Sequence, residues 1–217
     1  MVFGVFKQFP IRMARVRLIL VLIGLMGLLS MSRRPDSDKP NAARPNAARP
    51  EANRFTRVVL AEKLNEPMAL APLEDGRVLF IERKGAIHQY NPATNRISVV
   101  ATIPVSTTYT NREGKVREAE DGLLGIMADP NFAQNHWLYL YYSDPNASKN
   151  VLTRYEMQVD RLVMESKKVL LEIPTQREEC CHTGGGMVFD SQGNLYLLTG
   201  DNTSPFSSLD SRLCAYR

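Results

Sequence analysis

The chain has 217 residues and an ordinary apolar share of 44%, which suits one domain with a real core or part of a larger one, and excludes wholesale disorder. Its net charge of +4 is unevenly placed: residues 1–57 carry 11 Lys and Arg against 3 Asp and Glu, and subtracting these from the 27 and 23 of the whole chain leaves 16 against 20. The remainder is therefore mildly acidic, and a nucleic-acid role loses its electrostatic support.

The N-terminal segment has the outline of an export signal. Arg12, Arg15 and Arg17 precede an uncharged run over residues 18–32, whose apolar heart, residues 18–29, is shorter than the ~18–20 residues that span a bilayer. Residues 1–32 read as a signal peptide or an uncleaved membrane-anchoring helix, and export to the periplasm or beyond is expected, with membrane attachment possible through this segment. Met13 begins a more typical signal than Met1 does. Residues 33–54 repeat Asn-Ala-Ala-Arg-Pro twice, at 41–45 and 46–50, and read as a Pro/Ala/Arg linker.

From residue 55 the pattern changes to short apolar runs separated by turn residues. Strands are predicted over 68–72, 77–81, 86–90 and 96–103, with Glu74-Asp75-Gly76, Arg83-Lys84-Gly85 and Asn91-Pro92 as the turns between them. A second set falls at 122–128, 137–143, 151–158 and 169–173. A third opens at 187–189 and 195–198, around the turn Asp190-Ser191-Gln192-Gly193. The spacing is that of four-stranded propeller blades, and no long amphipathic helix pattern occurs after Leu29. The expected fold is all-β, a partial β-propeller of about two to three blades. Two polar connections, residues 107–120 and 175–183, lead into the strands that open a blade, where long loops gather on one face and form a site or else only a solvated insertion.

The chemistry concentrates at Cys180-Cys181-His182-Thr183-Gly184-Gly185-Gly186. A histidine ring titrates near neutrality and suits a general base, although one histidine is no constellation. The three glycines permit close backbone approach. Asp201 and Asn202 end the second strand of this unit and either line the same mouth or cap a turn. Arg177, Glu178 and Glu179, in the entry loop, either meet substrate hydroxyls or form a solvated charge run, the commoner case; His136-Trp137 reads as core packing and His88 as structural. Cys180 and Cys181 are open to three readings: a vicinal disulfide, two free thiols, or a metal pair. The last is the weakest, because no second histidine shares the motif.

Glu120-Asp121-Gly122-Leu123-Leu124-Gly125-Ile126, then Asp129-Pro130-Asn131-Phe132, then Leu138-Tyr139-Leu140-Tyr141-Tyr142, resembles the glucose/sorbosone dehydrogenase family, the soluble PQQ-dependent aldose dehydrogenases and their relatives. The His182 turn and the strand pair ending in Gly200-Asp201 follow in the family's order, and Glu82-Arg83-Lys84-Gly85 matches its earlier turn. The resemblance covers about residues 57–207. It implies a six-bladed propeller holding PQQ on its axial face, with His182 as the base that takes the C1 hydroxyl proton of an aldose on the way to the lactone. It places Glu120, Cys181, Gly184 and Gly185 at the cofactor. Cys181 departs from the aspartate common before that histidine.

The same resemblance implies a calcium ion and basic partners for the cofactor's carboxylates, none of which it places in this chain, and no metal ligand is assigned here. It also implies about twice this length of propeller. Residues 55–207 therefore read as its N-terminal part, 208–217 as a tail foreign to the family, as a frameshift would leave, and the chain alone as inactive. A different class remains open: a non-enzymatic exported propeller that binds glycans or a partner protein. The sequence names neither the sugar nor the electron acceptor.

Overall fold

A computed structural model describes residues 3–6 and 58–202. The expected signal segment, apart from 3–6, the linker and the 208–217 tail lie outside them. Among the described residues no helix is long and apolar enough to cross a membrane.

The chain builds two complete antiparallel blades and begins a third. The first is β2 (Pro67–Pro72), β3 (Val78–Glu82), β4 (Ala86–Asn91) and β5 (Arg96–Thr102), paired in that order after a short N-terminal strand β1 (Phe3–Phe6). The second is β8 (Leu123–Ala128), β9 (Trp137–Ser143), β10 (Lys149–Gln158) and β11 (Arg161–Pro174). The third opens with β12 (Gly184–Phe189) and β13 (Leu195–Thr199), and β1 pairs antiparallel with β13, Phe3 opposite Leu198. Between the first two blades runs the hairpin β6 (Thr108–Thr110) and β7 (Val116–Glu118). The only helix among the described residues is the single turn α1 (Phe132–Asn135).

Sequence explains why these runs become strands. In β9, Leu138, Leu140 and Tyr142 face one blade neighbour while Tyr139 and Tyr141 face the other, and all five are buried. A strand covered on both faces must be apolar on both, so it reads as a continuous apolar run rather than an alternation. The first cluster joins Leu79, Ile81 and Ile87 of the first blade to Leu123, Leu138 and Leu140 of the second. The second cluster joins Tyr139, Tyr141 and Leu152 to Leu195 and Leu197 of the third. Burying side chains of this size stabilises by roughly 1.5–3 kcal/mol each. The innermost strands β2, β8 and β12 lie side by side, as blades around a common axis require.

The turns fall where glycine, asparagine and aspartate were found, as at Gly76 (φ 85), Asn95 (φ 51) and Gly193 (φ 80). Two features differ from expectation. The 107–120 connection is not wholly irregular, because it folds back on itself as β6–β7. And β11 begins at Arg161, eight residues before the expected 169. Its first half is charged, and Ser166 Oγ fills an irregularity against β10 by accepting from Glu156 N (2.7 Å) and donating to Val163 O (2.6 Å).

Antiparallel alternation sends four connections to one end of the blades: the 83–85 turn, the 103–122 segment, the 144–148 turn and the 175–183 loop. All the residues singled out for chemistry lie at that end.

Candidate active site

The 175–183 loop carries the histidine, and its shape is set from within. Gln176 Oε1 accepts from the backbone N–H of Glu178 (2.7 Å) and Glu179 (2.8 Å), while its Nε2 donates to the carbonyls of Glu179 (3.1 Å) and Asn202 (2.5 Å). Asn202 Oδ1 accepts from Gln176 N (2.8 Å), and Asn202 N donates to His182 O (3.2 Å). The loop and the end of β13 are thereby stitched together around His182.

His182 itself sits at φ 55 and Asn202 at φ 55, both left-handed. Such a conformation costs a non-glycine residue of order 1–3 kcal/mol, and it persists only where surrounding bonds over-determine it. Gly200 completes the turn. A Cβ there would lie 1.5 Å from His182 O, so only glycine lets β13 pass beneath the histidine backbone.

The His182 side chain keeps 42% of its surface exposed, and its Nδ1 lies 3.0 Å from Asp201 Oδ1. A carboxylate accepts only, so this contact holds the proton on Nδ1 and leaves Nε2 as the basic nitrogen. Glu120 Oε2 accepts from His182 N at 3.1 Å, which brings a residue 62 positions earlier to the same spot. His182 and two carboxylates, Asp201 on its ring and Glu120 on its backbone N–H, thus share one mouth.

Behind them lies a buried support. Thr183 Oγ1 donates to Asp121 Oδ1 (3.0 Å), and Arg177 Nε stands 3.6 Å from Asp121 Oδ2. Burial pushes the Asp121 carboxyl above the usual carboxylate range, opposed by the Thr183 hydrogen bond and the Arg177 charge. Burial likewise lowers Arg177, opposed by Asp121 and Asp144. Arg83 fixes the other approach. Its guanidinium donates to the carbonyls of Ala119 (2.8 Å) and Asp121 (2.9 Å) and pairs with Glu66 and Glu118. The backbone on both sides of Glu120 is held this way.

The sulfurs of Cys180 and Cys181 face each other immediately before His182, an arrangement that agrees with the vicinal-disulfide reading of that pair. Gly184 and Gly185 have packing reasons to be glycine. A Cβ on Gly184 (φ 80) would meet Leu198 O at 2.6 Å, and one on Gly185 (φ 123) would meet Leu124 at 2.8 Å, where β12 crosses β8. Among the described residues no three His, Cys, Asp or Glu side chains gather as a metal cage.

Four residues outside the 180–186 motif belong to this arrangement: Asp201, Arg177, Asp121 and Arg83. Asp201 binds the His182 ring rather than only capping a turn. Arg177 is not part of a solvated charge run: its side chain is 15% exposed, and Nη2 donates to Asp144 O at 2.6 Å. Asp121 and Arg83 stand in two of the family-like stretches, 120–126 and 82–85, but nothing in those stretches marks either as a site residue. His88 is structural, stacked on Phe80 with ring centroids 4.9 Å apart, whereas His136 is exposed and ends α1 at φ 55 rather than packing in the core.

The glucose / sorbosone dehydrogenase family profile matches residues 64–212. The chain is 28% identical over 148 residues to the aldose sugar dehydrogenase YliI of Escherichia coli, covering 66% of this chain and 38% of that one. It is 23% identical over 160 residues to quinoprotein glucose dehydrogenase B of Acinetobacter calcoaceticus, covering 69% and 31%. The PQQ-bound aldose sugar dehydrogenase of Streptomyces coelicolor superposes with a TM-score of 0.53 at 27% identity, over 70% of this chain and 42% of that one. The chain thus spans well under half the length of each of these relatives.

Proposed function

Since the chain belongs to the glucose/sorbosone dehydrogenase family, we propose that it takes part in PQQ-dependent oxidation of an aldose at C1 to the lactone, with His182 as general base. The observation that carries this reading is the His182–Asp201 contact, which leaves Nε2 as the basic nitrogen of a ring that keeps 42% of its surface exposed. Nε2 accepts the proton of the sugar's C1 hydroxyl, and Asp201 stabilises the imidazolium that results. PQQ, when bound, supplies the acceptor for the hydride leaving C1.

The residues present fit the uncharged carbonyl edge of that quinone rather than its carboxylates. Glu120 and Asp201 flank the base, while the guanidinium groups of Arg83 and Arg177 are engaged by Glu66, Glu118 and Asp121. Glu120, Cys181, Gly184 and Gly185 are assigned to the cofactor's edge, with the Cys180–Cys181 ring as a rigid wall beside it. Calcium and the cationic partners of the carboxylates are assigned to residues other than those described. Export, by way of residues 1–32, is the location this reading expects.

The test is turnover of aldoses with an artificial dye acceptor by the full gene product, with and without added PQQ and calcium. Oxidation that appears only with PQQ supports the reading. A product that retains PQQ yet oxidises no aldose contradicts it.

A further inference from the structure

At the end of the blades away from His182, the second and third blades leave a cleft of about 330 Å³ between them. Leu152 and Leu170 of the second blade and Phe189 and Leu195 of the third form its apolar walls. The ring of Tyr139 stands edge-on to Phe189, with centroids 5.3 Å apart, and completes them.

Strand register sets the polar groups of this cleft. Tyr139, Arg154 and Lys168 are successive partners across β9, β10 and β11, so their side chains share one face of the blade. Two cations therefore stand directly opposite each other, which costs a sheet stability unless an anion lies between them. Among the described residues neither has a carboxylate partner. The Arg154 guanidinium lies over the Trp137 ring, 3.8 Å from its centroid, and Lys168 is exposed. Asp129 is the acidic member of the lining, and its oxygens are already taken. Oδ1 accepts from Asn131 N (2.9 Å) and Asn135 Nδ2 (2.8 Å), and Oδ2 accepts from Tyr139 Oη (2.8 Å).

These features select a ligand by exclusion. A purely apolar molecule leaves the two cations unpaired, and a small inorganic anion leaves the apolar walls unused. The volume falls at the low end of the ~300–1,000 Å³ of small-molecule sites, which suits one short alkyl or aryl body rather than a diacyl lipid. We propose that the cleft binds a small amphipathic carboxylate, its head bridging Arg154 and Lys168 and its body against Leu152, Leu170 and Phe189. The guanidinium fork offers parallel N–H groups that match a carboxylate, and the lysine adds a second charge. The cleft shares no residue with the His182 mouth, so it stands independently of the dehydrogenase reading.

The probe is octanoate, titrated by calorimetry into the full gene product, with octanol lacking the charged head and acetate lacking the body. Octanoate is expected to bind about tenfold or more tightly than either, the worth of one charge-assisted hydrogen bond or more. Arg154→Gln should remove most of the margin over octanol. If that variant does not fold, Lys168→Gln, at an exposed position that leaves Arg154 on the indole, serves in its place. Trp137, the sole tryptophan of the 217 residues, reports the location. Octanoate should draw the guanidinium from the indole face and change its emission, read as the difference from Trp137→Phe. Absence of octanoate binding, equal affinity for octanoate and octanol, a margin that survives loss of the cation, or binding that leaves Trp137 emission unaltered overturns the proposal.

Discussion

Asp201 Oδ1 stands 3.0 Å from His182 Nδ1, across the two strands that open the third blade. The pair is 19 residues apart in sequence, yet both belong to one turn closed by Asn202 and Gly200. Replacing Asp201 by Asn leaves the shape but offers the ring an amide that accommodates either tautomer. The expected result is a fall in kcat of ~10²–10⁴-fold with KM little changed, by analogy with other carboxylate-oriented histidine bases. Steady-state kinetics of Asp201→Asn would read this directly.

Gly200→Ala should be among the most damaging small substitutions in the chain. Its methyl would fall 1.5 Å from His182 O, a backbone atom that cannot swing aside. The turn must open, so the His182 N–H contact to Glu120 and the ring's contact to Asp201 are lost together. A melting temperature lowered by several degrees, with activity lost far beyond that expected from the stability change, is the predicted pair of readings.

Burial of the Asp121 carboxyl makes the stability of the fold depend on pH. Its folded pKa is raised by burial, so the native state binds this proton more tightly than the unfolded chain does. The stability it contributes is full below the unfolded carboxylate value of about 4 and is lost as pH rises through the higher folded value. Asp121→Asn should flatten that part of the curve. Melting temperature followed upward from pH 4 in both proteins checks it; parallel curves would show that Asp121 is not the source.

Arg83 holds the backbone on either side of Glu120 through the Ala119 and Asp121 carbonyls. A lysine keeps the charge but cannot reach these carbonyls and Glu66 at once. Arg83→Lys should destabilise by ~1–3 kcal/mol, the cost of leaving such acceptors unmet. Denaturant unfolding measures this, and Glu120 should lose its contact with His182 in the variant.

The blades were legible because their signals are local. Leu138-Tyr139-Leu140-Tyr141-Tyr142 and Val78-Leu79-Phe80-Ile81 can only be strands buried on both faces, and Gly76 and Gly193 mark turns by conformation. The hairpin β6–β7 and the first half of β11 were not, because they are polar and owe their order to partners in other segments. Thr110 N–H reaches Arg177, and Ser166 reaches Glu156.

The site divides in the same way. His182 stands out by its neighbours in sequence, and its family motif adds Glu120. Asp201, Arg177 and Asp121 are ordinary turn or surface residues until the fold brings them to partners 19, 56 and 62 positions away, as Asp121 meets Arg177 and Thr183. Charge and composition cannot distinguish an aspartate that caps a turn from one that orients a base.

The most direct test is the reduction of bound PQQ by a saturating aldose in a single turnover, followed by absorbance in the full gene product and in His182→Gln. PQQ binding should be similar in both, because the change removes a base rather than a carboxylate partner. With His182 as the base, the rate in the variant falls by ~10²–10⁴-fold. Equal rates at equal PQQ occupancy would contradict it, and His182 would no longer stand as the base.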